Sequence, residues 1–443
     1  MKKTLRSLLV LALVAAPAFS AFADEAKRVI VVTVTTGFRH SSIPYAEKTL
    51  QKLADESKAF TIVEFVRQPE VQVPKAPNKP RPLEIPGTTP AAGAYVILGR
   101  GPADLSAPAS DKDNASHAAD LQGDKKALAE WEKANDHHDA NMKKYDDALA
   151  AFGFTTSPGS HFILAPKPKD LAADASDGDK ARHDAEMKDY EGALAQWTKA
   201  KAHYDADMKK YDEAMEKWTP EVQKDAREKQ AQFDVEAKKN LEKLSPENLT
   251  AEHIDGVIFA NTTGDLPLPD RDGFIQWIKD GHGFVAMHSG SDTLHHFPGY
   301  IEMLGGEFET HKFQVPADLV AADTQNPANA GIGSAWNIKQ EEVYFIKNQD
   351  RSKVHSVWFL RHNPNDPNAA GFFPVAWTKA EGKGRVFYTS LGHREDLWSD
   401  DPDMKGRVNP VEISKQYQAH ILGGIKWALG LVPGSDEPNP EVK

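Results

Sequence analysis

Between residues 28 and 66 the apolar positions change period twice. RVIVVTVTT at 28–36 is a continuous β-branched run, the pattern of a buried strand. SSIPYAEKTLQKLADES then takes helical spacing, with Ser41 or Ser42 as N-cap and Pro44 near the first turn, where a missing N–H costs least. FTIVEFV at 60–66 returns to a strand pattern. Strand, helix, strand in that order predicts a right-handed βαβ unit and a parallel sheet.

The pattern stops at a Pro-rich stretch beginning at Pro69, which excludes helix and central strand, and resumes near Leu249. HIDGVIFANTTGD, GHGFVAMHSGSD and GRVFYTSLGH each carry an apolar run of strand length that ends in Gly, Asn, Asp or His. LPDRDGFIQWIKDG between the first two predicts a helix, apolar at Phe274, Trp277 and Ile278 and closed by Gly281. After His311 the runs FQVPADLVA, HSVWFLRH and PVAW read as antiparallel, the last joined to GRVFYTS through the turn AEGKG. EISKQYQAHILGGIKWALG predicts a closing helix, and 433–443 a polar tail. The expected α/β domain is therefore discontinuous, 24–67 with 245–432.

Residues 68–244 read as an insertion with an internal duplication at a spacing of 66, covering 93–152 and 159–218. The eighteen residues from Trp131 and the eighteen from Trp197 share twelve identities without a gap. Each copy carries a heptad stripe: Trp131, His138, Tyr145 and Phe152 in the first, and Tyr190, Trp197, Tyr204, Tyr211 and Trp218 in the second. That predicts a helical coiled-coil hairpin, a helix about 60 Å long from near 180 to 218, a break at Pro220 and a third helix beyond it. The histidines His117, His137, His138, His183 and His203 lie among Lys and Asp and read as a solvated face.

Composition narrows the function. The chain has no cysteine, which excludes disulfides, a thiol nucleophile and Cys-ligated metal. Its 53 Lys and Arg against 65 Asp and Glu give a net charge of −12 and no basic stripe, which argues against nucleic acid. Lys2, Lys3 and Arg6, an apolar stretch to Phe19 and Ala21-Phe22-Ala23 form a signal-peptide pattern at 1–23. The expectation is a periplasmic or secreted protein beginning at Asp24, with no lipid-anchoring Cys and no membrane span after cleavage.

In a parallel α/β sheet, ligands bind outside the carboxyl ends of the strands. Four loops begin at such ends, carrying Gly37-Phe38-Arg39-His40, Asn261 to Asp265, His288 to Asp292, and Gly392-His393; a histidine follows the strand in three of them. Ala286-Met287-His288-Ser289-Gly290 has the small residues that a nucleophile elbow needs on either side of its central side chain. Here the centre is an imidazole, which serves as general base, electrophile or metal ligand. Asp292 is placed to orient a pocket histidine, to act as base, or to cap the next helix.

TTGFRHSSIP, ANTTGDLPLPDRDGFIQWIKDGHGFVAMHSGSDT, GGEFETH, EEVYF, AWTKAEGKGRVFYTSLGH and HILGGIKWALG together resemble the ThuA-like family linked to trehalose utilisation. The resemblance implies a flavodoxin-like fold, a parallel sheet with helices on both faces similar to class I glutamine amidotransferases, with His288 where those enzymes place Cys. It therefore argues against amidotransferase chemistry. It carries over to His40, Thr263, Asp265, His288, Asp292, His311, Glu342, Tyr344 and His393. The expected catalytic set is His40, His288, Asp292, Glu342 and His393. Arg39, Thr263, Asp265, His311 and Tyr344 are expected to bind substrate, and His288, His311 and His393 are the candidate ligands of a divalent metal such as zinc; no nucleotide cofactor is indicated. Two functions follow: a carbohydrate-processing enzyme acting on a disaccharide or keto-sugar, of isomerase, lyase or hydrolase type, and a noncatalytic sugar-binding or scaffolding protein whose insertion docks a protein partner.

Overall fold

The structure, a computed structural model, describes residues 26–80, 155–156, 163–164, 167–172, 174–311, 313–363 and 366–442. The segment 1–23 and the first repeat copy, 93–152, lie outside them. The chain separates into two compact units, residues 1–71 with 231–443 and residues 72–230.

The first unit opens with β1 (Lys27–Val32), α1 (Ile43–Ser57) and β2 (Phe60–Val66), paired in parallel. Pro44 lies in the first turn of α1, but Ser42 does not cap it with its hydroxyl. That hydroxyl instead donates to Gly392 O at 3.2 Å and accepts from Asn261 Nδ2 at 2.9 Å, tying the start of α1 to two other strand ends. In the second unit two short strands, β3 (Thr155–Thr156) and β4 (Ile163–Leu164), pair antiparallel where the repeat pattern predicts none. They precede α2 (Asp177–Lys217), whose 41 residues span about 60 Å at about 1.5 Å each. Its heptad stripe is half-buried at Tyr190, Leu194, Trp197, Met208 and Tyr211, and buried at Ala200 and Tyr204. α3 (Pro220–Leu241) begins at the expected proline and crosses the unit boundary. Phe233, Ala237 and Leu241 in its second half are buried, and Asn240 Nδ2 donates to Arg67 O at 3.1 Å. The sequence places the end of the insertion at 244, whereas the α/β unit resumes at Ala231.

α4 (Pro246–Ala251) leads into β5 (Gly256–Ala260), α5 (Arg271–Lys279) and β6 (Gly283–Met287), every strand residue of which is buried. α6 (Pro298–Leu304), β7 (Glu307–Thr310), β8 (Gln314–Ala321), β9 (Ala335–Glu342), β10 (Phe345–Lys347), β11 (His355–Asn363), β12 (Asp366–Glu381) and β13 (Gly384–Thr389) follow, then α7 (Glu395–Trp398) and α8 (Val411–Ala428). The main sheet runs β2-β1-β5-β6-β13-β12-β11-β8-β9. Its first five strands are parallel, in the flavodoxin-like order, and the last four continue it antiparallel. The sheet is therefore mixed, mostly parallel on the side that carries the histidine loops. The predicted turn AEGKG joins β12 to β13 at Gly382, φ 62°.

Alternation sends the two sides of each strand to different layers. Ile258, Ala260, Val285 and Met287 join Leu50 of α1 and Ile421 and Trp427 of α8 in one core. Phe259 and Phe284 turn the other way, against Phe274 of α5 and Tyr300 of α6. A Cβ on Gly424 would come within 2.2 Å of the Phe387 ring, so only glycine lets α8 lie this close to β13. The polar segment after α8 is docked rather than free: Asn439 exchanges hydrogen bonds with the Ser356 backbone at 2.7 and 3.0 Å. Among the described residues no helix is long and apolar enough to cross a membrane.

Candidate functional site

Because β1 lies between β2 and β5, the chain reverses its direction of sheet growth there, and the loops after β1, β5, β6 and β13 open at one edge. The loop after β6 is a short 3₁₀ turn, His288 to Asp292. His288 sits at φ 47°, a left-handed conformation rare for a non-glycine residue, and a Cβ on Gly290 would stand 2.8 Å from Ala286 Cβ. The small flanks seen in the sequence are thus a steric requirement of an elbow. Tyr388 Oη donates to His288 O at 2.9 Å and Tyr300 Oη to Gly290 O at 2.7 Å, which holds the turn from beneath. Strain of this kind, about 1–3 kcal/mol, persists only where the surroundings over-determine it.

His288 is fully buried, and its Nδ1–H donates to the carbonyl of Ser390 at 2.8 Å, which leaves a lone pair on Nε2. Burial pushes this imidazole toward its neutral form. Around Nε2 stand His40 Nε2 at 3.2 Å, the Tyr344 hydroxyl at 2.9 Å and Glu342 Oε2 at 3.5 Å. His40 comes from the loop after β1, and its ring centroid lies 4.7 Å from that of His288 and 5.3 Å from that of His393. Burial, reinforced by the neighbouring imidazoles, lowers His40 to about 2.

Glu342, at the end of β9, is the anion at the centre. His393 Nδ1 lies 3.0 Å from its Oε2 and His311 Nδ1 3.0 Å from its Oε1. Burial alone would raise the carboxyl, but His288 and His393 hold it far below the usual carboxylate range. His393 Nδ1 sits off the line of a hydrogen bond and has no other partner among the described residues, while Gln314 Nε2 donates to His393 Nε2 at 2.8 Å. Burial opposes charge on His393, yet Glu342 and Glu341 beside it raise its affinity for a proton overall.

Among the described residues, the group of nitrogen and carboxylate donors gathered tightly enough for one metal ion is His40, His288, Glu342 and His393, all within 4.8 Å. This differs from the expected ligand set. His311 stands at the rim, about a third exposed, on the other carboxylate oxygen, and His40 takes its place. The donors fit a divalent cation: the single lone pair of His288 Nε2 cannot serve three neighbours, and an ion would draw on it together with His40 Nε2 and Glu342 Oε2. His393 would join once the Gln314 amide turned over.

Four expected site residues are engaged elsewhere. The Asp292 carboxylate accepts from His295 Nε2 at 2.6 Å, and His295 Nδ1 donates to Glu307 Oε2 at 2.7 Å, so Asp292 orients a histidine outside the cluster. Asp265 pairs with Arg271 at 2.9 Å. Arg39 donates to Thr33 O and Gln68 Oε1, both at 2.9 Å, bridging the ends of β1 and β2. Thr263 Oγ1 donates to Phe38 O at 2.7 Å and pins the histidine-bearing loop.

Glu341 escaped the sequence reading. Its Oε1 accepts the backbone N–H of His393 at 2.7 Å and of Gly392 at 3.3 Å, and its Oε2 has no partner among the described residues. Complete burial pushes it up to about 7. The signal was available: two adjacent carboxylates close an alternating strand, so one must enter each face.

The family model for trehalose utilisation, ThuA, matches residues 193–428, just over half of the chain. No protein of curated function matches. Among solved structures, a ThuA-like protein from Parabacteroides merdae is 16% identical with a TM-score of 0.34, over 43% of this chain and 80% of its own. Another from Bacteroides uniformis is 19% identical with a TM-score of 0.33, over 46% and 78%. On the match to more than half of its length, the chain belongs to the ThuA family.

Proposed function

We propose that this protein processes a carbohydrate, a disaccharide or keto-sugar, by proton transfer at the His40, His288, Glu342 and His393 cluster. The observation that carries the reading is Glu342, a charged carboxylate ringed by imidazoles at the carboxyl edge of a parallel sheet. The family's tie to trehalose utilisation supports the substrate class. In a 3-keto-glycoside the C2 proton is acidified by the adjacent carbonyl. Glu342 accepts that proton, a C1=C2 double bond forms as the C1–O bond breaks, and the proton on His393 passes to the departing glycosidic oxygen. His288, its tautomer set by Ser390, and Tyr344 hold the geometry from below. A divalent cation on the same donors would polarise the carbonyl oxygen.

The same proposal places the protein outside the cytoplasm, on the strength of the 1–23 pattern, and assigns partner docking to the 72–230 unit. The test is turnover of 3-ketotrehalose by purified protein, with elemental analysis alongside. Turnover that disappears in Glu342→Gln supports the reading. Stabilisation by sugar without turnover would favour a binding role, and full activity of Glu342→Gln would overturn the mechanism.

A further inference from the structure

Two imidazoles of the cluster present the same atom to each other. His40 Nε2 and His288 Nε2 lie 3.2 Å apart, both rings buried, and two lone pairs at that distance repel, so one of the nitrogens must carry a proton. His288 has no choice. Its Nδ1 faces the carbonyl of Ser390 at 2.8 Å, and a carbonyl only accepts, so the proton of His288 stays on Nδ1 and its Nε2 keeps the lone pair. The Tyr344 hydroxyl donates to that lone pair at 2.9 Å but does not remove the conflict, since an unprotonated His40 Nε2 would still point its own lone pair at an electron-rich nitrogen. His40 is neutral, because burial and the neighbouring imidazoles oppose its charge. Its one proton therefore sits on Nε2, and its Nδ1 holds a lone pair.

Among the described residues, the group that meets that lone pair is Ser289 Oγ, 3.2 Å from His40 Nδ1 and fully buried. Ser289 is fixed in place: the Thr293 hydroxyl donates to its carbonyl at 3.1 Å, and Thr293 is itself bonded to Thr262 at 2.8 Å. The protons thus point one way, from Ser289 to His40, from His40 to His288 and from His288 to Ser390. A divalent cation on the same donors reverses the requirement at His40. A ligating Nε2 must offer its lone pair, and the proton of the ring must then sit on Nδ1. A carbonyl or carboxylate beside Nδ1 would hold that second form permanently, and an amide N–H would hold the first. A hydroxyl serves both, donating or accepting after one rotation about its Cβ–Oγ bond.

We infer that Ser289 is the positioning residue of His40 and a tautomer switch for the cluster: its hydroxyl donates to His40 Nδ1 when no cation is bound and accepts from it when the cluster holds a divalent cation. His288 is the fixed ligand and His40 the convertible one. His40 releases no net proton in the exchange, since the proton given up to solvent at Nε2 is matched by one taken up at Nδ1. This deepens the site proposed above and rests on its divalent cation, whereas the sugar plays no part in it.

The experiment is nitrogen NMR of the full-length protein carrying isotope-labelled histidine, stripped with a chelator and then loaded with zinc at one neutral pH, with His40 identified by its loss in His40→Gln. The shifts separate protonated, unprotonated and metal-bound ring nitrogens. Without metal, His40 is expected to carry its proton on Nε2 and His288 on Nδ1; with zinc, the proton of His40 is expected on Nδ1 while that of His288 stays. Calorimetric titration with zinc, using Glu342→Gln as the blank for ions bound elsewhere, should show binding about tenfold weaker in Ser289→Ala and restored in Ser289→Thr, which keeps the hydroxyl. The wild-type spectra alone overturn the switch if His40 carries its proton on Nδ1 without metal, or keeps it on Nε2 with zinc. Equal zinc affinity in wild type and Ser289→Ala overturns the role of the hydroxyl. Equal zinc binding in wild type and Glu342→Gln overturns the cation at the cluster and the switch with it. Failure to turn over 3-ketotrehalose, with the spectra as expected, overturns the carbohydrate reading and leaves the switch standing.

Discussion

Two helices of this protein, α8 and α2, follow different rules. In α8, 18 residues long, ten are buried, and the exact identities of Gly423, Gly424 and His420 answer to atoms of the sheet and of the loop at Pro327. In α2, 41 residues long, two are buried, and its charges pair one turn away, as in Lys201–Asp205 and Lys210–Asp207. The contrast teaches where a polar residue has consequences. A charge that pairs along a solvated helix is exchangeable, worth well under 1 kcal/mol in general, whereas one held among distant elements at a strand end is tied to the geometry that elements from across the chain create.

The sharpest test of that contrast is at the centre of the cluster. Glu342→Gln should lower turnover by about 10³-fold, the usual worth of a positioned acid or base, while the thermal midpoint moves by only a few degrees. Steady-state kinetics and calorimetry read both. An equal change at Asp207→Ala, on α2, would break the distinction.

Excision of the inserted unit sharpens its boundary. Joining residue 71 to residue 231 through a Gly/Ser linker should leave a cooperative melt of the α/β unit. Extending the deletion to 70–244 removes Phe233, Leu241 and Leu244, all buried, at roughly 1.5–3 kcal/mol each. Urea denaturation of the two deletions should separate them by several kcal/mol, and identical midpoints would show that the second half of α3 contributes nothing.

A smaller loss is expected at Asp396, 1% exposed, which accepts from Arg394, from the backbone of Val408 and Asn409, and from Asn409 Nδ2. Asp396→Ala leaves those donors unmatched and should cost about 3–5 kcal/mol in chemical denaturation. A loss below 1 kcal/mol would place it with the exposed carboxylates of α2.

How far the sequence could be read follows the same division. β1, α1, β5, α5, β6 and α8 were legible because a two-residue or 3.6-residue period and a few Gly and Pro are local properties. The elbow was legible for the same reason, since Ala286 and Gly290 are neighbours of His288. The partner of a side chain was not. Asp292 faces His295 because α6 and β7 bring Glu307 to the other side of that ring, and His40 displaces His311 because β1 lies beside β5 while the rim stays open to solvent. Asp265 paired with Arg271, Arg39 with Gln68, and Glu341 beneath the Gly392–His393 backbone are likewise set by contacts far along the chain or by loop geometry, which no pattern of apolar positions records.

The smallest effect expected is on acid stability, and it isolates α8. His420 is fully buried, and its Nδ1–H donates to Ala328 O at 2.6 Å. Burial lowers it from the usual 6.5 to about 4. The unfolded chain therefore binds a proton between about 6.5 and 4 that the folded protein refuses, so stability is fully present above 6.5, falls as pH drops through that window, and levels once the folded imidazole also protonates. The expected slope from this group is about 1.4 kcal/mol per pH unit. Asp396, held at about 2 by its donors even though burial opposes the charge, adds its own loss only below about pH 4, because its stabilisation is present above the unfolded carboxyl pKa and disappears as pH falls through the folded one. His420→Asn keeps a donor for Ala328 and removes the titration. Urea midpoints from pH 7 to pH 4.5 should therefore fall less steeply in the variant than in the wild type, by about that slope. Parallel curves would mean that His420 takes up its proton over the same pH range in the folded and the unfolded chain, and that burial within α8 does not shift it.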